Sequence, residues 1–212
     1  VFFENIYGAD SNDRKQRVRS KAAPFTLDDV EPLQAKVFHL GSLLADDFSP
    51  EVVEALADKG TVSIDAQGYL REVVGEEVRP VEWKDMSRVL RATGILKLNE
   101  SEMQTVVGSN DPYEVGKKLA ACGVDEVVMT LGSYGSVIYA GGKAYDIPAY
   151  KPKKLVDATG CGDTFSTGYL WCRVQGMGIE EAGKFAAAMC SLKLQHSGPF
   201  DGTIADIEQL IG

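Results

Sequence analysis

The 212-residue chain is predicted to be an α/β protein with a mainly parallel, doubly wound sheet, helices on both faces and a β-hairpin in front. Three observations predict this. Short β-rich runs alternate with segments carrying helix start and stop residues. The alternation is repeated further along the chain, and the opening residues carry hairpin punctuation instead.

The opening, VFFENIY (1–7), GADSND (8–13) and RKQRVRS (14–20), reads as two strands joined by a polar turn rich in Gly, Asn and Asp. Two strands alone are marginal in water, so this hairpin requires further strands or the main body for support. We place a boundary near residue 22, dividing a hairpin (1–22) from an α/β body (23–212). KVFHL (36–40) and TVSID (61–65) are strand-like; between them SPEVVEALADKG has Ser49 as N-cap, Pro50 at the first helical position and Gly60 at the end. That is a βαβ pattern. It recurs as ILKLN (95–99), SEMQTVVG (101–108), DPYEVGKKLAACG (111–123) with an Asp-Pro start and a Gly stop, and EVVMTL (126–131) as a buried strand. SVIYA, Gly141-Gly142 and KAYDI form a second hairpin. Helices are expected at roughly 164–175 and 179–195, with a short amphipathic one near 203–211.

Apolar residues make up 44% and charged residues 25%, a balance that favours a packed fold over a disordered chain. A formal charge of -9 argues against a surface that neutralises nucleic acid or lies on anionic lipid, while leaving room for one local anion pocket. Cys122, Cys161, Cys172 and Cys190 show no C-x-x-C pair and no metal spacing with His39 or His196, and read as reduced cysteines of a cytoplasmic protein. The sequence has no apolar run of membrane-spanning length and no basic-then-apolar leader. It opens on Val1 within a strand-like stretch and is read as a piece of a longer protein.

In an open α/β sheet, ligands collect where strands end, and three such places stand out. In VDATGCGDTF (156–165), small residues before a helix let backbone N–H groups face an anion at its positive end. Asp163 beside them reads as a proton acceptor for an attacking hydroxyl, or simply as a helix cap. The third glycine of a dinucleotide fingerprint is missing. Asn99 and Glu102, three apart after ILKL, suit waters around a hard cation such as Mg²⁺, or equally a capping arrangement. The glycines of Thr130-Leu131-Gly132-Ser133-Tyr134-Gly135 either let backbone approach a nucleotide or only make a turn.

Together, N-x-x-E, T-L-G-S-x-G and D-x-T-G-x-G-D-T-F resemble, in that order, the C-terminal part of ribokinase-like carbohydrate kinases of the phosphofructokinase-B type. The resemblance covers the chain from Lys36 to the end. It implies an ATP-dependent kinase acting on a sugar hydroxyl, with Asp163 as base and Gly160, Cys161 and Gly162 as the anion hole. By the same resemblance Asn99 and Glu102 position Mg²⁺, through water. Thr130, Gly132, Gly135 and Gly198 belong to the nucleotide side, with adenine held between that loop and residues 187–198. Asp157 and Thr159 match positions that bind an activating monovalent cation such as K⁺ in some members, with the other ligands expected from residues 192–199. The opening hairpin resembles part of a substrate lid, which in many members also forms a homodimer. The family's N-terminal portion, with central strands, a substrate-binding Asp and a Gly-Gly/Asn element, has no counterpart here. This piece alone is therefore expected to be inactive or marginally folded, and to need that portion as a partner. The same catalytic half serves nucleoside and inositol kinases, and a catalytically silent nucleotide-binding regulator is a further alternative.

The family most often has Ala where this chain has Cys161, and a thiol at a helix N-terminus is expected to have a lowered pKa and to be reactive, or else to serve as a small residue in place of Ala. His39 and His196 read as structural. Phe2, Phe3, Ile6 and Tyr7 are expected to pack the hairpin. Asp65, Gln67 and Arg71 stand after a strand, where they approach substrate or merely cap and carry surface charge.

Overall fold

The computed structural model describes residues 1–7 and 14–212, so the hairpin turn expected at 8–13 lies outside the described residues. The chain folds as two compact units, Val1–Thr93 and Gly94–Gly212, a division well beyond residue 22.

In the first unit, β1 (Phe2–Tyr7) and β2 (Arg14–Ser20) pair antiparallel. They are followed by α1 (Leu27–Val30), β3 (Val37–Leu40), α2 (Pro50–Ala57), β4 (Thr61–Asp65), β5 (Arg71–Val74), β6 (Glu77–Pro80) and α3 (Met86–Arg91). The opening hairpin is not alone. β2 pairs with β6 and β6 with β5, giving a four-stranded sheet in the order β1-β2-β6-β5. The buried Val18 donates its N–H to the Glu76 carbonyl (2.8 Å), and Arg19 reaches both Glu4 and Glu76. Phe2, expected to pack the hairpin, is exposed and Phe3 is half-buried; the side chains of Ile6 and Tyr7 lie outside the described set.

β3 and β4 run parallel, joined by α2 as the βαβ pattern predicts. Ser49 Oγ accepts from the Val52 N–H, Pro50 opens the helix, and Val52, Val53 and Leu56 form its buried face. Arg88 of α3 ties itself to α2 through Glu51 and Glu54. His39 Nδ1 meets Ser63 Oγ at 3.1 Å.

The second unit contains β7 (Ile95–Asn99), α4 (Glu100–Val107), α5 (Pro112–Ala121), β8 (Glu126–Thr130), β9 (Ser136–Ala140), β10 (Lys143–Ile147), α6 (Cys161–Val174), α7 (Ile179–Lys193) and α8 (Ile204–Ile211). β7 and β8 are parallel, while β9 and β10 add the antiparallel hairpin turning at Gly141-Gly142. Leu96, Leu98, Val127, Met129 and Ile138 are fully buried on these strands, which is why the runs are apolar without alternation.

One half-buried cluster sets the direction of α6. Glu126, at the start of β8, accepts from the Tyr169 hydroxyl (2.6 Å) and from Arg173 (2.6 Å), and Arg173 also donates to the Met177 carbonyl. The C-terminal half of α6 is thereby held at the start of β8. Its N-terminus is delivered to the other end, where β7 and β8 finish. The helix begins at Cys161 rather than near Thr164, so the glycine-rich stretch forms the cap and first turn themselves.

Candidate active site

The strand ends Asn99 and Thr130 lie side by side in the β7–β8 register. Asn99 caps α4: its Oδ1 accepts from the Glu102 N–H (3.0 Å), while Glu102 accepts from the Asn99 N–H (2.9 Å) and from Nδ2 (2.7 Å). Glu102 is only 7% exposed. The spacing that suggested a cation site thus builds a reciprocal capping box, and direct coordination by Glu102 would break it.

Gly160 takes φ +77 and caps α6 without any side-chain bond. Asp163 in the first turn is exposed, and no hydrogen bond or ion pair engages its carboxylate among the described residues. It does not cap the helix. The Cys161 N–H is turned onto the Ala158 carbonyl (3.2 Å), and the Thr164 N–H onto Gly160. Of the expected Gly160, Cys161 and Gly162, the Cys161 N–H thus has a backbone acceptor, while no acceptor engages the N–H groups of Gly160, Gly162 and Asp163 among the described residues.

The preceding loop is fastened to the end of α7. The Leu194 carbonyl accepts from the Val156 N–H (2.8 Å) and the Asp157 N–H (3.3 Å). Lys193 donates to the Asp157 carbonyl (2.9 Å), and Asp157 Oδ1 accepts from the Thr159 N–H (2.9 Å). The Thr159 N–H chiefly, with its side chain, burial opposing and Lys193 adding, holds the Asp157 carboxyl below the usual range.

Two cavities flank the α6 N-terminus. A cleft of about 820 Å³ is lined by Asn99, Thr130, Gly132, Gly135, Cys161 and Gly162, and by Ala187, Cys190, Ser191 and Leu194 along one face of α7. A smaller pocket of about 430 Å³ contains Gly160, Asp163, Asp157, Thr159, Lys193 and Gly198. Glu102 lines neither. Gly198, expected on the nucleotide side, stands in the pocket of Asp163, because α7 stops at Lys193 and the chain turns away from the cleft. Asp65 accepts from the Gln67 N–H as a local turn in the first unit, and His196 is exposed at the end of α7.

Sequence reasoning missed three side chains here. Ser136 and Ser191 line the cleft with buried hydroxyls that have no hydrogen-bond partner among the described residues. Lys193 is 3% exposed, and a lysine closing an apolar helical run was the only signal for it.

The expectation of a reactive Cys161 is reversed. Burial pushes its thiol up and outweighs the nearby Lys193 ammonium, with Asp157 adding to the rise. Cys190, whose Sγ donates to the Cys161 carbonyl (3.2 Å), is pushed up to about 12, again mainly by burial. Thiolate is the reactive form, so iodoacetamide at neutral pH is expected to label Cys161 more slowly than a free cysteine, and faster as pH rises. Time-resolved mass spectrometry checks this; labelling as fast as free cysteine refutes it.

Among known proteins, the family model for the pfkB family carbohydrate kinases matches residues 11–205. The chain belongs to that family. It is 30% identical over 124 residues to a nucleoside kinase of Methanocaldococcus jannaschii, covering 58% of this chain and 40% of that protein. It resembles the structure of a pyrophosphate-dependent kinase in the ribokinase family complexed with a pyrophosphate analog and myo-inositol, with TM-score 0.82 and 29% identity over 92% of this chain and 70% of that one. It also resembles Arabidopsis thaliana ribokinase complexed with ribose and ATP, with TM-score 0.69 and 26% identity over 89% and 60% of the two chains. The pfkB-family chain thus has the ribokinase-like α/β fold, with a mixed, mostly parallel sheet. It spans less than half the length of the nucleoside kinase it matches.

Proposed function

We propose that this pfkB-family chain carries the donor-binding and catalytic half of a kinase that transfers the γ-phosphoryl group of ATP to a hydroxyl of a sugar or similar polyol. One observation carries the reading: the unpaired carboxylate of Asp163 stands in the same helical turn as free N–H groups, with a nucleotide-sized cleft on the far side of that turn. Asp163 takes the proton of the acceptor hydroxyl and orients it for in-line attack. The N–H groups of Gly160, Gly162 and Asp163 hold the transferring phosphoryl oxygens at the positive end of α6.

Mg²⁺, when bound, would neutralise charge on the donor phosphates. Asn99 and Glu102 fit a hydrated ion only, since their own atoms are committed to each other; the buried Glu102 charge then acts through water. The four-stranded sheet of β1, β2, β6 and β5 serves as the acceptor lid and, in this reading, as a surface for a homodimer. A further N-terminal portion of the protein completes the acceptor pocket. No helix among the described residues is long and apolar enough to cross a membrane, and we place the protein in the cytoplasm.

A second reading takes pyrophosphate as donor and an inositol as acceptor, as the likeness to the pyrophosphate-dependent kinase suggests. Against it, two buried hydroxyls without hydrogen-bond partners among the described residues, Ser136 and Ser191, stand in a cleft with apolar walls, an arrangement suited to a nucleotide base and superfluous for pyrophosphate. A nucleoside acceptor is supported by the relative from M. jannaschii. Transfer from ATP and from pyrophosphate to a panel of sugars, nucleosides and inositols, measured on the intact protein, separates these readings. ATP is the expected donor. Nucleotide binding without transfer to any acceptor would support the regulatory alternative instead.

A further inference from the structure

Lys193 is the only lysine or arginine among the described residues that lines the Asp163 pocket, and its side chain is 1% exposed. A buried ammonium needs opposite charge and acceptors around it. Its partners are both on Asp157: the carbonyl at 2.9 Å and carboxylate Oδ2 at 3.7 Å. The other carboxylate oxygen, Oδ1, holds the Thr159 N–H immediately before Gly160. The Asp157 carbonyl and Oδ1 each already hold one donor, and Oδ2 faces the Lys193 ammonium. A second positive charge there would face the Lys193 ammonium across a few ångströms, a repulsion that water at the 30% exposed Asp157 side chain screens only in part. The residues present do not fit the monovalent cation that the family resemblance implies at Asp157 and Thr159.

We propose that the Lys193 ammonium is the resident cation of the phosphate-binding turn, taking the place of a free monovalent ion against Asp157. Lys193 is a positioning residue. Through the Asp157 carbonyl and carboxylate it fixes Thr159 and Gly160, and so the direction of the turn's N–H groups. Its charge also lies behind the turn that receives the phosphoryl group, where it stabilises the build-up of negative charge. Ser191 and Leu194 of the same helix segment face the donor cleft, so one stretch of α7 serves both cavities.

The proposal rests on the kinase reading for the role of the turn and for its rate measurement, and not for Lys193 standing in place of a free ion. Thallous ion, a heavy substitute for potassium, is soaked into crystals of the intact wild-type protein. No anomalous peak is expected beside Asp157, and a peak there overturns the proposal. Initial rates are compared in tetramethylammonium chloride and in KCl at about 0.1 M, matching ionic strength. The wild type is expected to change by less than about twofold, because its cation is covalently attached. Lys193→Met is expected to lose about 100-fold in tetramethylammonium, the scale of loss for a displaced reacting group, and to recover in part with KCl. Severalfold potassium activation of the wild type, an unchanged Lys193→Met rate, or a loss that potassium does not restore would each overturn it. Should the protein transfer no phosphoryl group at all, the kinase reading fails, and the wild-type thallium experiment decides this proposal without any variant.

Discussion

Asp163→Asn is expected to lower kcat by about 10³-fold while leaving donor affinity within about twofold, because a positioned general base contributes roughly 10²–10⁴-fold. The structure makes this a clean substitution. Asp163 is exposed, engages no hydrogen bond or ion pair among the described residues, and leaves the capping of α6 to Gly160. Asn has nearly the same shape and can still place its N–H toward the phosphoryl group. What is lost is the ability to accept a proton, together with a favourable negative charge in the first helical turn worth about 0.3–1 kcal/mol. Thermal unfolding should therefore shift little. Steady-state kinetics with isothermal titration of the donor checks both halves of the expectation, and an unchanged kcat would remove Asp163 from the mechanism. A fall in affinity as large as the fall in rate would make it a binding residue instead.

Gly135→Ala is expected to destabilise the protein by about 2–4 kcal/mol and to weaken donor binding with it, from backbone strain and overpacking combined. Gly135 has φ +96, and a Cβ there would lie 2.2 Å from the Ile147 carbonyl oxygen and 3.0 Å from the Ala149 nitrogen. Those are backbone atoms where β10 ends, so neither can swing aside. Ala149 lines the large cleft, and displacing it changes the cleft wall. Gly132→Ala is the control. With φ +54 and nothing within 4 Å, its Cβ pays only the left-handed backbone cost, about 1–2 kcal/mol. Urea denaturation midpoints of the two variants give the comparison; equal losses would mean that the close approach to Ile147 carries no weight.

The contrast between these glycines marks where the sequence stopped being informative. T-L-G-S-x-G showed that the backbone was bare there, and left open whether a ligand or a turn required it. The tertiary contact answers for Gly135: the requirement is another strand's carbonyl. Helix starts were legible because capping is local. Ser49 with Pro50, Asn99 with Glu102, and Asp111 with Pro112 satisfy the first N–H groups of their own helices within a few residues, and all three helices begin where expected. The two strands that complete the first sheet were not legible. Half of residues 71–80 are charged; β5 and β6 pair with each other, and β6 joins the sheet through β2, more than fifty residues earlier in the chain.

The amino-acid sequence by itself determined the alternation of strands and helices and the family, and it placed a carboxylate beside a glycine-rich helix start, because each of these is written in residues a few positions apart. Only the tertiary structure decided that Cys161 is held with a raised rather than lowered pKa, that its N–H is spent on Ala158, and that Asp157 faces a buried ammonium. Burial and charge at a site are sums over groups from α6, α7 and the loop before them. VDATGCGDTF contains one side of those sums, and Lys193, thirty residues later, supplies the other.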